Sequence, residues 1–466
     1  MPPADGVDPR FDERMTDLEA LMWGLERADP SLQTVMVMAG VLDRPVDPAV
    51  MIERLEATCR SVPRLTELPQ PGPLPMVPPR WVGDPGFDVA NHLRSDSVAG
   101  GADFGALSRV VERSMSEPFE AGRPPWDFTL VDGLEGGRGG FVARLHHSYT
   151  DGQGAVQIAL GLFDSPEGAA PPTDAQVTAP ATTPAGIAVE SLVSDVVHEV
   201  AAGLSAVRKL APWAAGALRD AFDNPADAAA RTAELATSLA RTARAAMLPG
   251  SPVLSRRSGE TRVAAVRLNL DELRAAGKNC GGTVNDVFLA GILGGLSMYH
   301  EKVGAPFPAV KLGIPVSTRG GGDSLHNQLQ GMLLRAPLNL RDPKERIRLI
   351  HAMVAETRQQ PWLPLIDVAA AAAVRLPFAP NALAGMVRYT EVLASNLPGP
   401  PERLYLAGAG VDVLVPFGPR AGSALNLTLL SYAGGVAIGV NADAAALSDH
   451  DLFVGCLSEG FDEVLA

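Results

Sequence analysis

The densest group of chemically capable residues in this sequence is the heptapeptide HHSYTDG at residues 146–152. Imidazole is the default general base in proteins, because its unperturbed pKa lies near neutral pH. The two histidines end a predicted strand, and neighbouring side chains on a strand point to opposite faces. Only one of His146 and His147 can therefore face a given cavity, and we expect the other to be structural. Asp151 would hold the loop or an imidazole in one orientation, and Gly152 permits a close approach that other residues resist.

Less specific interpretations of this motif also have to be weighed. An isolated pair of histidines is more often structural than catalytic. His146, His147 and Asp151 are near one another, but the sequence offers no convincing further ligand, and adjacent histidines rarely share one zinc ion. The 3 cysteines of the chain are far apart and show neither metal-ligand spacing nor a disulfide framework. We therefore predict no metal site and a reducing, cytoplasmic location.

The elements that must position the motif fall into two blocks. In the first block, strands are predicted at 35–42, 128–131 and 140–146, and helices near 15, at 48–59 and at 104–115. In the second, strands are predicted at 262–270, 310–315, 329–336, 411–415, 425–430 and 436–440, and helices at 283–298, 343–358, 363–388 and 449–465. Between them, residues 165–184 are rich in Pro, Ala and Thr, and an Ala-rich helical stretch follows to about 246. The pattern predicts a mixed α/β (α+β) fold with an N-terminal lobe (1–164), a Pro-rich linker and helical connector (165–255) and a C-terminal lobe (256–466).

Charge and hydropathy exclude several classes of function. The 466 residues include 39 Lys plus Arg and 53 Asp plus Glu, which gives a net charge of −14. Nucleic-acid binding needs a concentrated positive surface, so we expect no nucleic-acid partner. No apolar stretch reaches the ~20 residues that span a bilayer, and the acidic, proline-bearing start is unlike a secretory signal.

The full spacing of the motif is specific. HHSYTDG matches the HHxxxDG motif of the chloramphenicol acetyltransferase-like superfamily, and within it the chain resembles the bacterial wax ester synthase/diacylglycerol acyltransferase family. The resemblance runs through nearly the whole length and includes Pro124-Pro125-Trp126, Thr283-Val284-Asn285-Asp286-Val287, Pro315-Val316-Ser317-Thr318-Arg319 and Ser395-Asn396-Leu397-Pro398-Gly399-Pro400. The family usually has Leu in place of Pro125 and Val in place of Leu397, departures that leave the fine substrate preference open.

The resemblance implies a fold and an activity. The fold would be two chloramphenicol acetyltransferase-like lobes with the active-site tunnel at their interface. The activity would be transfer of a long-chain acyl group from acyl-CoA to diacylglycerol, to a long-chain alcohol, or to both, with acyl-CoA as co-substrate and no cofactor. By the family motif, His147 is the general base, His146 supports the loop, and Asp151 orients it, with Arg319 or Arg144 as the candidate partner of Asp151.

A second set of residues would complete the site. The tetrahedral intermediate of acyl transfer carries an oxyanion that needs a hydrogen-bond donor, and Asn285 is the candidate; the equal alternative is that Asn285 only caps the following helix. Ser395 and Asn396 would line the substrate cavity with Gly152 and Arg319, although simple turn chemistry before Pro398 is slightly favoured for them.

Partners and alternative functions follow from the same residues. Coenzyme A is polyanionic, and basic side chains cluster at Arg256, Arg257 and Arg262 and along the Ala-rich connector. Such residues would serve coenzyme A, contact a membrane or lipid droplet peripherally, or form a solvated helix face. The alternative functions are a carrier-protein-dependent condensation enzyme and a non-catalytic lipid-droplet protein. The acceptor, the acyl chain length and the choice between monomer and homodimer stay open.

Overall fold

A computed structural model describes residues 14–72, 77–101, 104–164, 248–317, 329–358 and 390–466. Arg319, the predicted helix 363–388 and all but the end of the predicted connector lie outside these ranges. The helices are α1 (Asp17–Ala28), α2 (Pro48–Ser61), α3 (Phe104–Ser116), α4 (Gly152–Leu160), α5 (Leu270–Asn279), α6 (Val284–Lys302), α7 (Pro343–Arg358) and α8 (His450–Leu465). The strands are β1 (Val35–Leu42), β2 (Glu67–Gln70), β3 (Arg80–Gly83), β4 (Leu93–Gly101), β5 (Trp126–Leu134), β6 (Arg138–His146), β7 (Thr261–Asn269), β8 (Ala309–Ser317), β9 (Leu329–Pro337), β10 (Val392–Leu397), β11 (Tyr405–Leu406), β12 (Ala409–Phe417), β13 (Leu425–Tyr432) and β14 (Gly435–Asp443).

The first sheet has six strands in the order β11-β12-β1-β6-β5-β4. β1 is antiparallel to β6 on one side and to β12 on the other. β12 comes from the C-terminal part of the chain, more than 360 residues after β1 in sequence, as the pairing of Ala39 with Val415 shows. Residues 405–417 thus complete a sheet whose other strands lie in the predicted N-terminal lobe. The domain boundaries remain a prediction. The structure adds that two strands from the C-terminal part of the chain belong to the first sheet.

The two faces of the first sheet pack against different helices because side chains alternate along each strand. Val35, Val37 and Val41 of β1 join the buried core that includes residues of α3. Met36 and Met38 point to the other face, which we call the inner face. Helices α1, α2 and α4 contribute buried residues to the core on that side. This face faces the interior of the molecule and carries the candidate site.

The second sheet has the order β7-β14-β13-β10-β8-β9, in which β10 is parallel to both β13 and β8. Its core is formed with α6, α7 and α8, and α6 is buried along most of its length. The mixed α/β fold is therefore confirmed. β10 was not predicted from the sequence, and β2 pairs with β3 in a small separate sheet. None of the helices in the described ranges combines the length and the apolar character needed to cross a bilayer.

A buried ion pair fixes the register next to the motif. The Arg144 guanidinium donates Nε–H to Asp127 at 2.7 Å, and its Nη1 donates to the carbonyl oxygens of Ser114 and Glu117 at 2.6 and 2.7 Å. Arg144 and Asp127 are directly paired residues of β6 and β5, and their side chains are 1% and 8% exposed. The pair therefore ties both strands to the end of α3.

Replacement of Asp127 by Ala should destabilise the protein by about 3–5 kcal/mol, because it leaves the buried Arg144 charge uncompensated. Urea denaturation of both proteins measures the difference. The matched control is Asp271→Ala, which removes the partner of Arg274 where both side chains are largely exposed, and it should leave the unfolding midpoint unchanged. An unchanged midpoint for Asp127→Ala would contradict this role.

Candidate active site

His146, the last residue of β6, is enclosed in a polar network. Its Nε2 lies 2.9 Å from Glu26 Oε2 and 3.1 Å from Thr34 Oγ1. The backbone N–H of Ser148 donates to its Nδ1 at 3.0 Å, so Nδ1 accepts and the ring proton lies on Nε2, toward Glu26. Burial by itself would raise the pKa of Glu26, but the hydrogen bonds from His146 and Thr34 lower it overall. His146 therefore anchors the loop to α1 and β1.

His147 is directed elsewhere. Its backbone N–H donates to the Thr34 carbonyl oxygen at 2.9 Å, which extends the pairing with the segment before β1 by one residue. Its side chain is buried and lines the large internal cavity. Burial lowers the pKa of His147, against smaller raising effects from a hydrogen bond to its own backbone and from the charge of Asp151. A neutral imidazole facing a cavity can accept a proton.

Asp151 is the N-cap of α4. Its carboxylate accepts the backbone N–H of Gly154 at 2.8 Å and is fully buried. This contact fixes the end of the loop that begins at His147. Arg144, one of the two predicted partners of Asp151, is instead bound to Asp127, so that assignment is wrong. The other, Arg319, lies outside the described residues.

Gly152 shows the close approach that the sequence suggested. A Cβ atom at this position would lie 3.2 Å from Cδ2 of Leu397, at the end of β10 in the second sheet. The backbone of Gly152 does not adopt a positive φ angle, so close contact with Leu397, rather than an unusual angle, accounts for the glycine. The HHxxxDG loop therefore lies against the second sheet, and the cavity before it is shared between the two sheets.

Asn285 lies in the first turn of α6 and lines the same cavity. The helix is capped by Thr283, whose backbone N–H donates to Asp286 Oδ2 at 2.8 Å and whose hydroxyl donates to the same oxygen at 2.9 Å. The alternative interpretation of Asn285 as the helix cap is therefore wrong. Its amide is half-buried at the cavity wall, near a helix N-terminus where partial positive charge accumulates.

Ser395 and Asn396 are strand residues. They belong to β10, where Ser395 pairs with Thr428 and Asn396 pairs with Leu429 of β13. Turn chemistry, the interpretation favoured from the sequence, is therefore wrong for both. Both residues line the cavity. The sequence analysis did not predict this short parallel strand, because the proline that follows it suggested a turn.

The cavity has a volume of about 830 Å³ and is predominantly apolar. Trp126 and Thr428 both line it. Trp126 also packs in the core, since its ring stacks on His92 with centroids 4.3 Å apart and its Nε1–H donates to the Leu65 carbonyl oxygen. The described ranges contain no group of three or more His, Cys, Asp or Glu side chains that could hold a metal ion.

The predicted basic cluster does not lie at the cavity. Arg256, Arg257 and Arg262 are absent from its lining among the described residues, and Arg257 donates to the carbonyl oxygens of Leu254 and Gly422. Arg358, at the end of α7, lines the cavity instead and is exposed. Sequence reasoning missed Arg358 because a single arginine at a helix end has no distinguishing spacing. Met36 and Met38 had a usable signal, namely their alternation with the valines of β1.

A titration follows from the burial of His147. We expect its imidazole to titrate below the ordinary histidine range and to be neutral at pH 7, because burial opposes the charged form. Nitrogen–proton correlation spectra recorded between pH 5 and 8 measure this, and His147→Ala assigns the signal. A His147 pKa above the ordinary value would contradict the effect of burial.

Comparison with known proteins agrees with this geometry. The sequence profile of the wax ester synthase/diacylglycerol acyltransferase catalytic domain matches residues 15–288, and that of the C-terminal domain of the same family matches residues 325–464. A protein of Mycobacterium tuberculosis strain H37Rv whose name assigns it as a diacylglycerol O-acyltransferase is 32% identical over 99% of this chain and 93% of its own. Another from that strain, named as tgs1, is 24% identical over 97% of this chain and 95% of its own.

Solved structures share the fold. The wax ester synthase/diacylglycerol acyltransferase of Marinobacter aquaeolei VT8 superimposes with a TM-score of 0.61 at 20% identity and covers 97% of this chain and 98% of its own. The first condensation domain of the CDA synthetase superimposes with a TM-score of 0.58 at 16% identity, over 98% of this chain and 97% of its own. Given the two profile matches and the full-length relatives, the chain belongs to the wax ester synthase/diacylglycerol acyltransferase family of acyltransferases.

Proposed function

We propose that this protein transfers a long-chain acyl group from acyl-CoA to the hydroxyl of diacylglycerol, of a long-chain alcohol, or of both, with His147 as general base. The observation that carries the proposal is the placement of His147. Its buried imidazole faces a largely apolar cavity that Asn285 also lines. Such a cavity suits lipid substrates and excludes the water that would hydrolyse the thioester.

The proposed reaction begins with proton removal. Neutral His147 accepts the proton of the acceptor hydroxyl while its oxygen bonds to the thioester carbonyl carbon. The carbonyl π electrons move to the oxygen and form a tetrahedral oxyanion. Collapse of this intermediate breaks the carbon–sulfur bond and expels the thiolate of coenzyme A. The thiolate then accepts from His147 the proton that came from the acceptor hydroxyl. The products are an ester and coenzyme A thiol, and no covalent enzyme intermediate or bound cofactor is needed.

Asn285 is proposed to stabilise the oxyanion. Its amide can donate a hydrogen bond to the developing charge, and the N-terminus of α6 adds a favourable field. His146 and Asp151 act as positioning residues, because their contacts are with Glu26, Thr34, Ser148 and Gly154. Ser395, Asn396 and Gly152 are proposed to bound the substrate, and Arg319 remains a proposed partner of Asp151.

The partners proposed for this chain are the acyl donor and the lipid acceptor. The tgs1-named relative and others with the same printed activity support diacylglycerol as an acceptor, and the family name supports a long-chain alcohol as well. A peripheral contact with a membrane or lipid droplet would deliver such insoluble acceptors. The condensation-domain likeness reflects the fold alone, and an assay with free acyl-CoA and no carrier protein separates the two donors.

Replacement of His147 by Ala should lower kcat at least ~10²-fold, because general-base catalysis typically contributes 10²–10⁴-fold. Release of coenzyme A thiol, with diacylglycerol or hexadecanol as acceptor, measures the rate. Fluorescence binding of acyl-CoA and circular dichroism check that the variant is folded. The control is Lys278→Ala, an exposed side chain outside the cavity lining. Near-wild-type transfer by folded His147→Ala would overturn the proposal.

Replacement of Asn285 by Ala should lower kcat by about 10²–10³-fold with little change in the KM for acyl-CoA, because the oxyanion exists only along the reaction. Asn285→Asp should be at least as inactive, since a carboxylate would repel the oxyanion. Steady-state kinetics with one donor and one acceptor measure both variants. A rise in KM at unchanged kcat would show instead that Asn285 only contacts the bound substrate.

A further inference from the structure

The inner face of the first sheet is built in rungs of directly paired residues that run away from His147. Strand pairing places one residue of β1, β6 and β5 side by side in each rung. The first rung contains Met36, Leu145 and Trp126. The second contains Met38, Ala143 and Phe128, with Pro416 of β12 beside Met38. The third contains Gly40, Phe141 and Leu130, with Leu414 beside Gly40.

The cavity follows the first two rungs and stops at the third. Every residue of the first two rungs lines it, and no residue of the third does. In the second rung Ala143 has the smallest side chain, which leaves depth over the middle of the sheet. The part of the cavity over these two rungs is called the inner chamber below.

Phe141 does not line the cavity itself but packs directly behind the lining residue Phe128, and so backs the end of the inner chamber. Its side chain is fully buried, and its ring stacks on Phe128 with centroids 5.2 Å apart. The ring occupies the space above Gly40, since a Cβ atom there would lie 2.2 Å from Phe141 Cε1. A glycine at position 40 is thus what allows Phe141 to cover its rung. The packing around Phe141 is tight, so this end of the chamber cannot move back unless a new void forms in the core.

Helices cover the inner chamber with apolar side chains. Leu55 of α2 and Ile158 of α4 line the cavity and pack in the same buried core as Trp126 and Phe128 of the first two rungs, and Leu25 of α1 also lines the cavity. Thr58 of α2 lines it too, but its hydroxyl donates to the Arg54 carbonyl oxygen at 3.0 Å. A polar headgroup would find few partners in these surroundings, whereas a hydrocarbon chain needs none.

The cavity wall formed by the second sheet and its flanking elements has a different character. Asn285, Thr390, Asn426 and Thr428 line it, together with the exposed Arg358. Within the described residues no carboxylate lies at ion-pair distance from Arg358. The amides of the pantetheine arm and the anionic phosphates of coenzyme A match this side. A donor whose thioester lies at His147 would then direct its acyl chain to the opposite side.

We propose that the inner chamber holds the acyl chain of the donor thioester and that Phe141 sets the chain length it accepts. The inference rests on the proposed function. It adds that the acyl chain of the donor, rather than the acceptor, occupies the inner chamber. Six residues of extended chain separate Phe141 from His147, about 20 Å at ~3.3 Å per residue. Ala143 admits the chain past the second rung, and Phe141 stops it at the third.

The test measures kcat/KM for acyl-CoA donors of graded length with one fixed acceptor, and then for alcohols of graded length with one fixed donor. Ala143→Met fills the second rung and should lower the ratio of long-chain to short-chain donor kcat/KM by on the order of tenfold, the discrimination that a poorly fitting methylene gives. Phe141→Leu and, if it folds, Phe141→Ala should move the optimum to longer donors. The matched control, Ala264→Met, places the same side chain on β7 outside the cavity lining and should leave the donor profile unchanged.

The outcomes separate cleanly. A shift in the donor profile with an unchanged alcohol profile supports the inference. It is overturned if folded Ala143→Met keeps the wild-type donor profile, loses activity equally at every donor length, or alters the alcohol profile alone. Loss of activity in His147→Ala combined with such a result would leave the proposed function intact and remove only the chamber assignment. Activity that survives in His147→Ala would instead contradict the proposed function.

Discussion

The position of β1 between β6 and β12 is the constraint on which the rest of the structure depends. The HHxxxDG loop begins at the end of β6, while β12 belongs to the C-terminal part of the chain. Because β1 hydrogen-bonds to both, the complete six-stranded sheet requires both parts of the chain. The same arrangement brings β10 of the second sheet against Gly152, so the cavity and its walls are products of both halves.

Electrostatics divide the two adjacent histidines by function. His146 has a carboxylate, a threonine and a serine around its ring, and these fix the loop to α1 and β1. Burial is the largest influence on the pKa of His147. It lowers that pKa and so favours the neutral imidazole. The buried Arg144–Asp127 pair lies behind the same strand end and holds β5 and β6 in register. A polar network on one side of the strand thus lies opposite a buried imidazole on the other.

Much of the fold was predictable because its signals are local. The helix predicted near residue 15 is α1, which the structure caps with Thr16 and Glu19, and β1 matched its predicted bounds. β10 was missed, since a short parallel strand ending in Asn-Leu-Pro looks like a turn. The cap of α6 is Thr283, whereas the sequence analysis considered Asn285 for this role. The first error concerns residues whose neighbours come from distant segments of the chain, whereas the second concerns a local capping box between Thr283 and Asp286.

The sequence by itself determined the family and the mixed α/β class and singled out the HHxxxDG loop, because HHxxxDG spacing and hydrophobic periodicity are written in neighbouring residues. Only the tertiary structure decided that Arg144 binds Asp127 rather than Asp151, that Ser395 and Asn396 lie on a strand, and that the Phe141 ring fills the space above Gly40. Those facts depend on strand register and on packing between residues up to hundreds of positions apart. Such contacts follow from which strands pair, and no local pattern encodes that choice.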